Sequence, residues 1–119
     1  MEDWALDFEW GRLRRAVQKR FGKDKLPDMN AILFLIGIQE LGQIKTDFSK
    51  EEKQDLMHIA VCKLLSQIGH YQFKEIDKDG WPHWELIQPI SQKGVKNQEK
   101  ILKEQAIHYF RGKLKNYNK

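Results

Sequence analysis

His58 and Cys62 stand four residues apart in a stretch patterned as helix, so both side chains fall on one face. A thiolate beside an imidazole is a pair that zinc accepts. Two ligands do not fill a tetrahedral site, however. Further donors would have to come from His70, His83, Asp77, Asp79 or His108, and no CxxC, HExxH or second cysteine brings them in. The residues read as a buried Cys62 beside a boundary His58, with no metal expected.

Glu75, Asp77, Asp79 and Gly80 alternate like the opening of a calcium loop. That loop closes on a bidentate acid at its twelfth position, which here is Leu86 counted from Glu75 and Gln88 counted from Asp77. An acidic hairpin turn explains the four residues better. Cys62 lies within an apolar helical stretch and no nucleophile elbow occurs, so covalent catalysis has no support. Glu51/Glu52 and Asp77/Asp79 sit at helix starts or turns, where nothing shifts a carboxylate toward acid–base work. Gly37 and Gly42 lack the Lys-Ser/Thr that completes a phosphate loop. A protein that is not an enzyme and holds no cofactor is the expectation.

Recognition chemistry is better represented. Trp81-Pro82-His83-Trp84 sets large aromatics beside an acidic turn, a combination that anchors a peptide or a base. Residues 70–87 must position them, and these read as a β-hairpin: aromatic and β-branched residues flank Asp77-Lys78-Asp79-Gly80, where the glycine takes positive φ. Regular antiparallel counting sets Ile76 opposite Trp81, Lys74 opposite His83, Phe73 opposite Trp84, Gln72 opposite Glu85 and Tyr71 opposite Leu86. Tyr71, Phe73, Trp84 and Leu86 then form a face that packs, while Gln72, Lys74, His83 and Glu85 meet water. Pro82 cannot donate to a ladder, so its strand keeps an unpaired flank.

The rest of the chain is helical. Leu6, Trp10, Leu13, Val17 and Phe21 recur at helical spacing over residues 4–21, with acids early, bases late and Gly22 suited to the C-cap. Asp28 suits an N-cap for a second helix, MNAILFLIGIQEL, ending at Gly42. Its apolar run at 31–38 also fits a buried strand, but length and caps favour helix, and Gly37 would permit a close approach. Ser49 and Glu52 form a capping box for a third helix, with Met57, Ala60, Val61, Leu64, Leu65 and Ile68 as its stripe and Gly69 as its end. Phe48 stands at the staple position before it. Ile101, Leu102, Gln105, Ala106, Tyr109, Phe110 and Leu114 mark a final amphipathic helix over about residues 97–115.

The 119 residues fit one compact α+β domain, mostly α, with one hairpin between helices 3 and 4. From residue 28 to residue 87 this element order resembles a winged-helix arrangement, with residues 49–68 as recognition helix and residues 70–87 as wing. The resemblance implies DNA contact through those two elements. Yet the helix opens Lys50-Glu51-Glu52-Lys53 and the wing tip is Asp77-Lys78-Asp79, which sets acids where phosphates would lie.

Charge is unevenly spread: residues 1–27 hold seven Lys/Arg against five acids, residues 28–92 six against ten, and residues 93–119 eight against two. The basic end offers an alternative function, nucleic-acid binding through Lys93, Lys96, Lys100, Lys103, Arg111, Lys113 and Lys115. One cysteine, no leader pattern after Met1-Glu2-Asp3-Trp4 and no membrane-length apolar run make a reduced cytoplasmic setting the default. The leading expectation is a monomeric or homodimeric module that binds another protein or itself through the hairpin edge, using Trp81, His83, Lys74 and Glu85.

Overall fold

A computed structural model describes residues 2–43, 47–90, 94–111 and 113, with only the backbone at 95 and 96. The order is α1 (Asp3–Phe21), α2 (Met29–Leu41), α3 (Lys50–Ser66), β1 (Tyr71–Ile76), β2 (Pro82–Leu86) and α4 (Val95–Arg111). The chain is therefore mostly helical with one antiparallel hairpin between α3 and α4, as the patterning predicts. Contacts sort the residues into two units, Met1–Ile32 with Gln92–Lys119, and Leu33–Ser91.

In the first unit α1 packs on α4. The helical spacing of α1 buries Leu6, Trp10, Leu13 and Val17, and each aliphatic among them contributes roughly 1.5–3 kcal/mol. Phe21, the last member of the expected stripe, is instead 42% exposed, because the helix ends there at Gly22 in the left-handed region, φ 64°. The Arg14 guanidinium donates to the Pro27 carbonyl at 2.7 Å and fixes the connection into α2. Asp28 caps that helix by accepting from the Ala31 amide at 2.8 Å. Helix α4 begins at Val95, two residues earlier than expected, and buries Ala106, Ile107, Tyr109 and Phe110. Leu114, the last residue of its expected stripe, lies outside the described residues.

In the second unit the capping box forms as the sequence predicts. The Ser49 hydroxyl accepts from the Glu52 amide at 3.1 Å, and the Ser49 amide donates to the Glu52 carboxylate at 2.9 Å. Phe48, at the staple position, joins Leu41 and Leu56 in a buried cluster and meets Phe34 edge-on, with ring centroids 6.0 Å apart. Helix α3 stops at Ser66 rather than running to Ile68, and residues 67–69 turn the chain into β1, with Gly69 at φ 84°. The expected stripe is too narrow. Leu56, Ile59 and Cys62 are buried along with Ala60, Leu64 and Leu65, whereas Ile68 is 44% exposed. The helix is covered on more than one side: α2 meets it at Gly37, opposite Leu56, and the hairpin packs on it as well.

Candidate interaction surface

The hairpin is organised by one carboxylate. Asp77 Oδ1 accepts from the amides of Asp79 at 2.9 Å and Trp81 at 3.0 Å, while Oδ2 meets His83 Nε2 at 2.8 Å. The Gly80 amide donates to the Asp77 carbonyl and the Asp77 amide to the Trp81 carbonyl, so three residues turn the chain, with Gly80 at φ 88° closing the bend. The His83 hydrogen bond, then the Trp81 amide, hold the Asp77 carboxyl below the usual aspartate range. A depressed carboxyl pKa contributes stability that is present above the unfolded value, about 3.9, and lost as pH falls through the folded one. Amide-exchange protection at Asp79 and Trp81 is therefore expected to persist from neutral pH down to the ordinary aspartate range and to fail below it. Asp77→Ala should abolish that protection at every pH.

The observed pairing is Tyr71 with Leu86, Gln72 with Glu85, Phe73 with Trp84, Glu75 with His83 and Ile76 with Pro82. The three pairs away from the turn match the regular count; those near the tip do not. Lys74 is an extra residue on β1 and does not face His83, and Ile76 faces Pro82 rather than Trp81. The bulge changes which residues share a face. Without it Ile76 would lie with the polar set. With it, Tyr71, Phe73, Ile76, Pro82, Trp84 and Leu86 make a wholly apolar face, and Gln72, Glu75, His83 and Glu85 lie opposite.

That apolar face does not pack as expected. Phe73 is 47%, Ile76 62% and Leu86 53% exposed; Trp84 and Tyr71 are half-buried. The Phe73 and Trp84 rings meet edge-on at 5.7 Å, and the Trp84 indole N–H is buried with no acceptor among the described residues. The hairpin is the whole sheet among the described residues, so each strand has an open outer edge. The fit of Pro82 to an edge follows from alternation. Asp77 and Trp81 form a hydrogen-bonded position, so Ile76 and Pro82 form the next, non-bonded one, and the N–H that proline lacks would point outward.

No family model, curated protein or solved structure matches this chain. The site must be read from its own chemistry.

Of the residues singled out for partner contact, His83, Glu85 and Lys74 are exposed and Trp81 is half-buried against Leu41, Phe48 and Leu56. Trp81 thus seats the hairpin tip in its unit's core. Gln43, in the connection that follows α2, donates to the Asp79 carbonyl at 2.9 Å and lies against Gly80. Thirty-six residues separate Gln43 from Asp79, and no local signal encodes their contact.

The basic residues of the C-terminal end are not one surface of free cations. Lys93 and Lys115 lie outside the described residues, and only the backbone of Lys96 is described. Lys100 pairs with Asp3 at 2.9 Å, and Lys103 pairs with Glu99 at 3.4 Å while lying 5.9 Å from the Trp10 ring centroid. Lys113 lies 4.8 Å from the Tyr109 ring centroid, and Arg111 is exposed at the end of α4. Asp3, Asp7 and Glu99 share a cleft of about 560 Å³ with Lys100 and Lys103, which mixes the two charge signs.

Among the described residues no group of three His, Cys, Asp or Glu side chains could hold a metal ion. His58 Nε2 lies 3.5 Å from Cys62 Sγ, and burial pushes the thiol up to about 11. A group held as thiol at neutral pH is a poor nucleophile. Cys62 should accordingly resist a maleimide at pH 7.5 in the native protein and react fully once guanidinium unfolds it.

Proposed function

We propose that this chain is a small non-enzymatic interaction module that binds another protein, or a second copy of itself, through the hairpin. The observation that carries this reading is the apolar face that the Lys74 bulge extends to Ile76, with Phe73, Ile76 and Leu86 about half exposed beside an open strand edge. Folded chains usually cover such a face or use it. His83 and Glu85 on the opposite face of the same strand, with Lys74 at the bulge, supply polar groups to a partner that pairs along the edge.

The choice of test residues follows from burial. Trp81→Ala would remove a side chain from the core cluster and confuse binding with folding. Ile76→Ser changes an exposed position, where substitutions usually move stability by no more than about 0.5 kcal/mol. Phe73→Ser also removes the edge-on contact with Trp84, which contributes about 0.5–1.5 kcal/mol. Ile76→Ser should unfold near the native midpoint and Phe73→Ser somewhat below it, and both should lose association in size-exclusion and partner-capture measurements. Unchanged association in both would refute the reading.

Nucleic-acid binding along α4 is the alternative, and it is weakened by the partners that Lys100 and Lys103 already have. It requires an affinity for DNA or RNA that falls steeply with salt. No affinity at low salt removes it.

No helix of the described residues is long and apolar enough to cross a membrane.

A further inference from the structure

We propose that the occupant of the hairpin edge is a second copy of this chain, with β2 pairing antiparallel to the partner's β2 about a two-fold axis at Trp84. This rests on the edge reading above and adds the partner and the register.

The outer edge of β1 is interrupted by the Lys74 bulge, a device that blunts an edge against pairing. Strand β2 is regular from Pro82 to Leu86. The bond from the Ile87 amide to the His70 carbonyl marks that pair as hydrogen-bonded, so alternation turns the backbone groups of Leu86, Trp84 and Pro82 outward and those of Glu85 and His83 toward β1.

The register follows by elimination, since an axis at either end of the strand, Pro82 or Leu86, would overlap the two copies' strands at a single residue. A two-fold axis normal to the sheet keeps the apolar faces of both copies on one side, so only residues of the same face can be paired, and the axis must pass through a residue. An axis at His83 sets two histidines opposite each other and, because Pro82 has no N–H, allows only two hydrogen bonds. An axis at Glu85 sets two carboxylates opposite each other, which is unfavourable. An axis at Trp84 sets His83 opposite Glu85 of the other copy, twice. It also allows four hydrogen bonds: each Trp84 amide to the opposing Trp84 carbonyl, and each Leu86 amide to the opposing Pro82 carbonyl. Pro82 acts there only as an acceptor, so its missing donor leaves nothing unpaired. The two apolar faces become one, with Trp84 beside Trp84 and Pro82 beside Leu86.

The test uses the full chain. Sedimentation equilibrium should show a dimer, and Leu86→Pro should weaken it about thirtyfold, the effect of two lost hydrogen bonds. Far-ultraviolet circular dichroism should stay unchanged, because the Leu86 amide does not serve the pairing with β1. In a Cys62→Ala background, mixing His83→Cys with Glu85→Cys should give a disulfide-linked heterodimer. Opposed non-bonded residues have Cα atoms about 4.5 Å apart, within disulfide reach. Neither variant should cross-link to itself. A dimer that survives Leu86→Pro at native strength, or cross-linking of either variant with itself in place of the mixed pair, overturns the proposal. If the chain is monomeric at about 1 mM, self-pairing is wrong. The wider edge reading would then stand only if Ile76→Ser still loses a different protein partner.

Discussion

Replacing Gly37 with alanine lowers the unfolding free energy by about 3 kcal/mol, at the upper end of what overpacking a core costs. A Cβ built at this position would stand 2.7 Å from the Leu56 carbonyl carbon and 2.9 Å from the Leu56 Cβ, with the carbonyl oxygen closer still. The obstruction is largely backbone, so no rotamer change relieves it; α2 and α3 must separate there and loosen contacts around Leu41 and Phe48. Gly42→Ala is the control. Gly42 has open space but φ 71°, so the added Cβ meets only local backbone strain, roughly 1–2 kcal/mol. Denaturant unfolding of the two variants should rank them in that order, and equal losses would show that the α2–α3 approach is not tight.

Leu56→Ala is the second large effect, expected at about 3–4 kcal/mol. Leu56 is fully buried in the cluster with Leu41 and Phe48, against which Phe34, Ile38 and Trp81 are packed. Truncation leaves a cavity under the hairpin tip as well as the lost transfer free energy. The variant should therefore show a lower denaturant midpoint together with faster amide exchange at Trp81. It should not rescue Gly37→Ala, because alanine at 56 keeps both the carbonyl and the Cβ that obstruct residue 37. A midpoint shift with no change at Trp81 would mean that the tip does not depend on this cluster.

Both effects arise where local sequence signals are weakest. Gly37 was legible only as a small residue in an apolar helix that would permit a close approach; which backbone it admits depends on a contact with residue 56. The capping box at Ser49, the Asp28 cap and the positive φ of Gly80 were legible, because each is decided within a few residues; the pair that closes the turn, Asp77 with Trp81, was not. The burial of Cys62 was legible because it lies within an apolar helical stretch.

The hairpin separates the two kinds of information most clearly. Its existence, its turn and the three pairs from Tyr71–Leu86 to Phe73–Trp84 follow from alternation and the Asp-Gly bend. The bulge at Lys74 does not, and because side chains alternate with period two, one extra residue moves Ile76 to the other face. Nor does alternation say what covers a face; Phe73 and Leu86 were expected inside and stand half exposed.

By itself, then, the amino-acid order determined the succession of four helices and a hairpin and where most elements begin and end. These are encoded by hydrogen bonds and side-chain periodicities that span a turn or two. The tertiary structure alone decided that Trp81 seats the tip, that Gln43 reaches Asp79, and that, among the described residues, an apolar face remains half open beside an open strand edge. Each depends on groups far apart in the chain, whose approach is set by the packing of the elements between them.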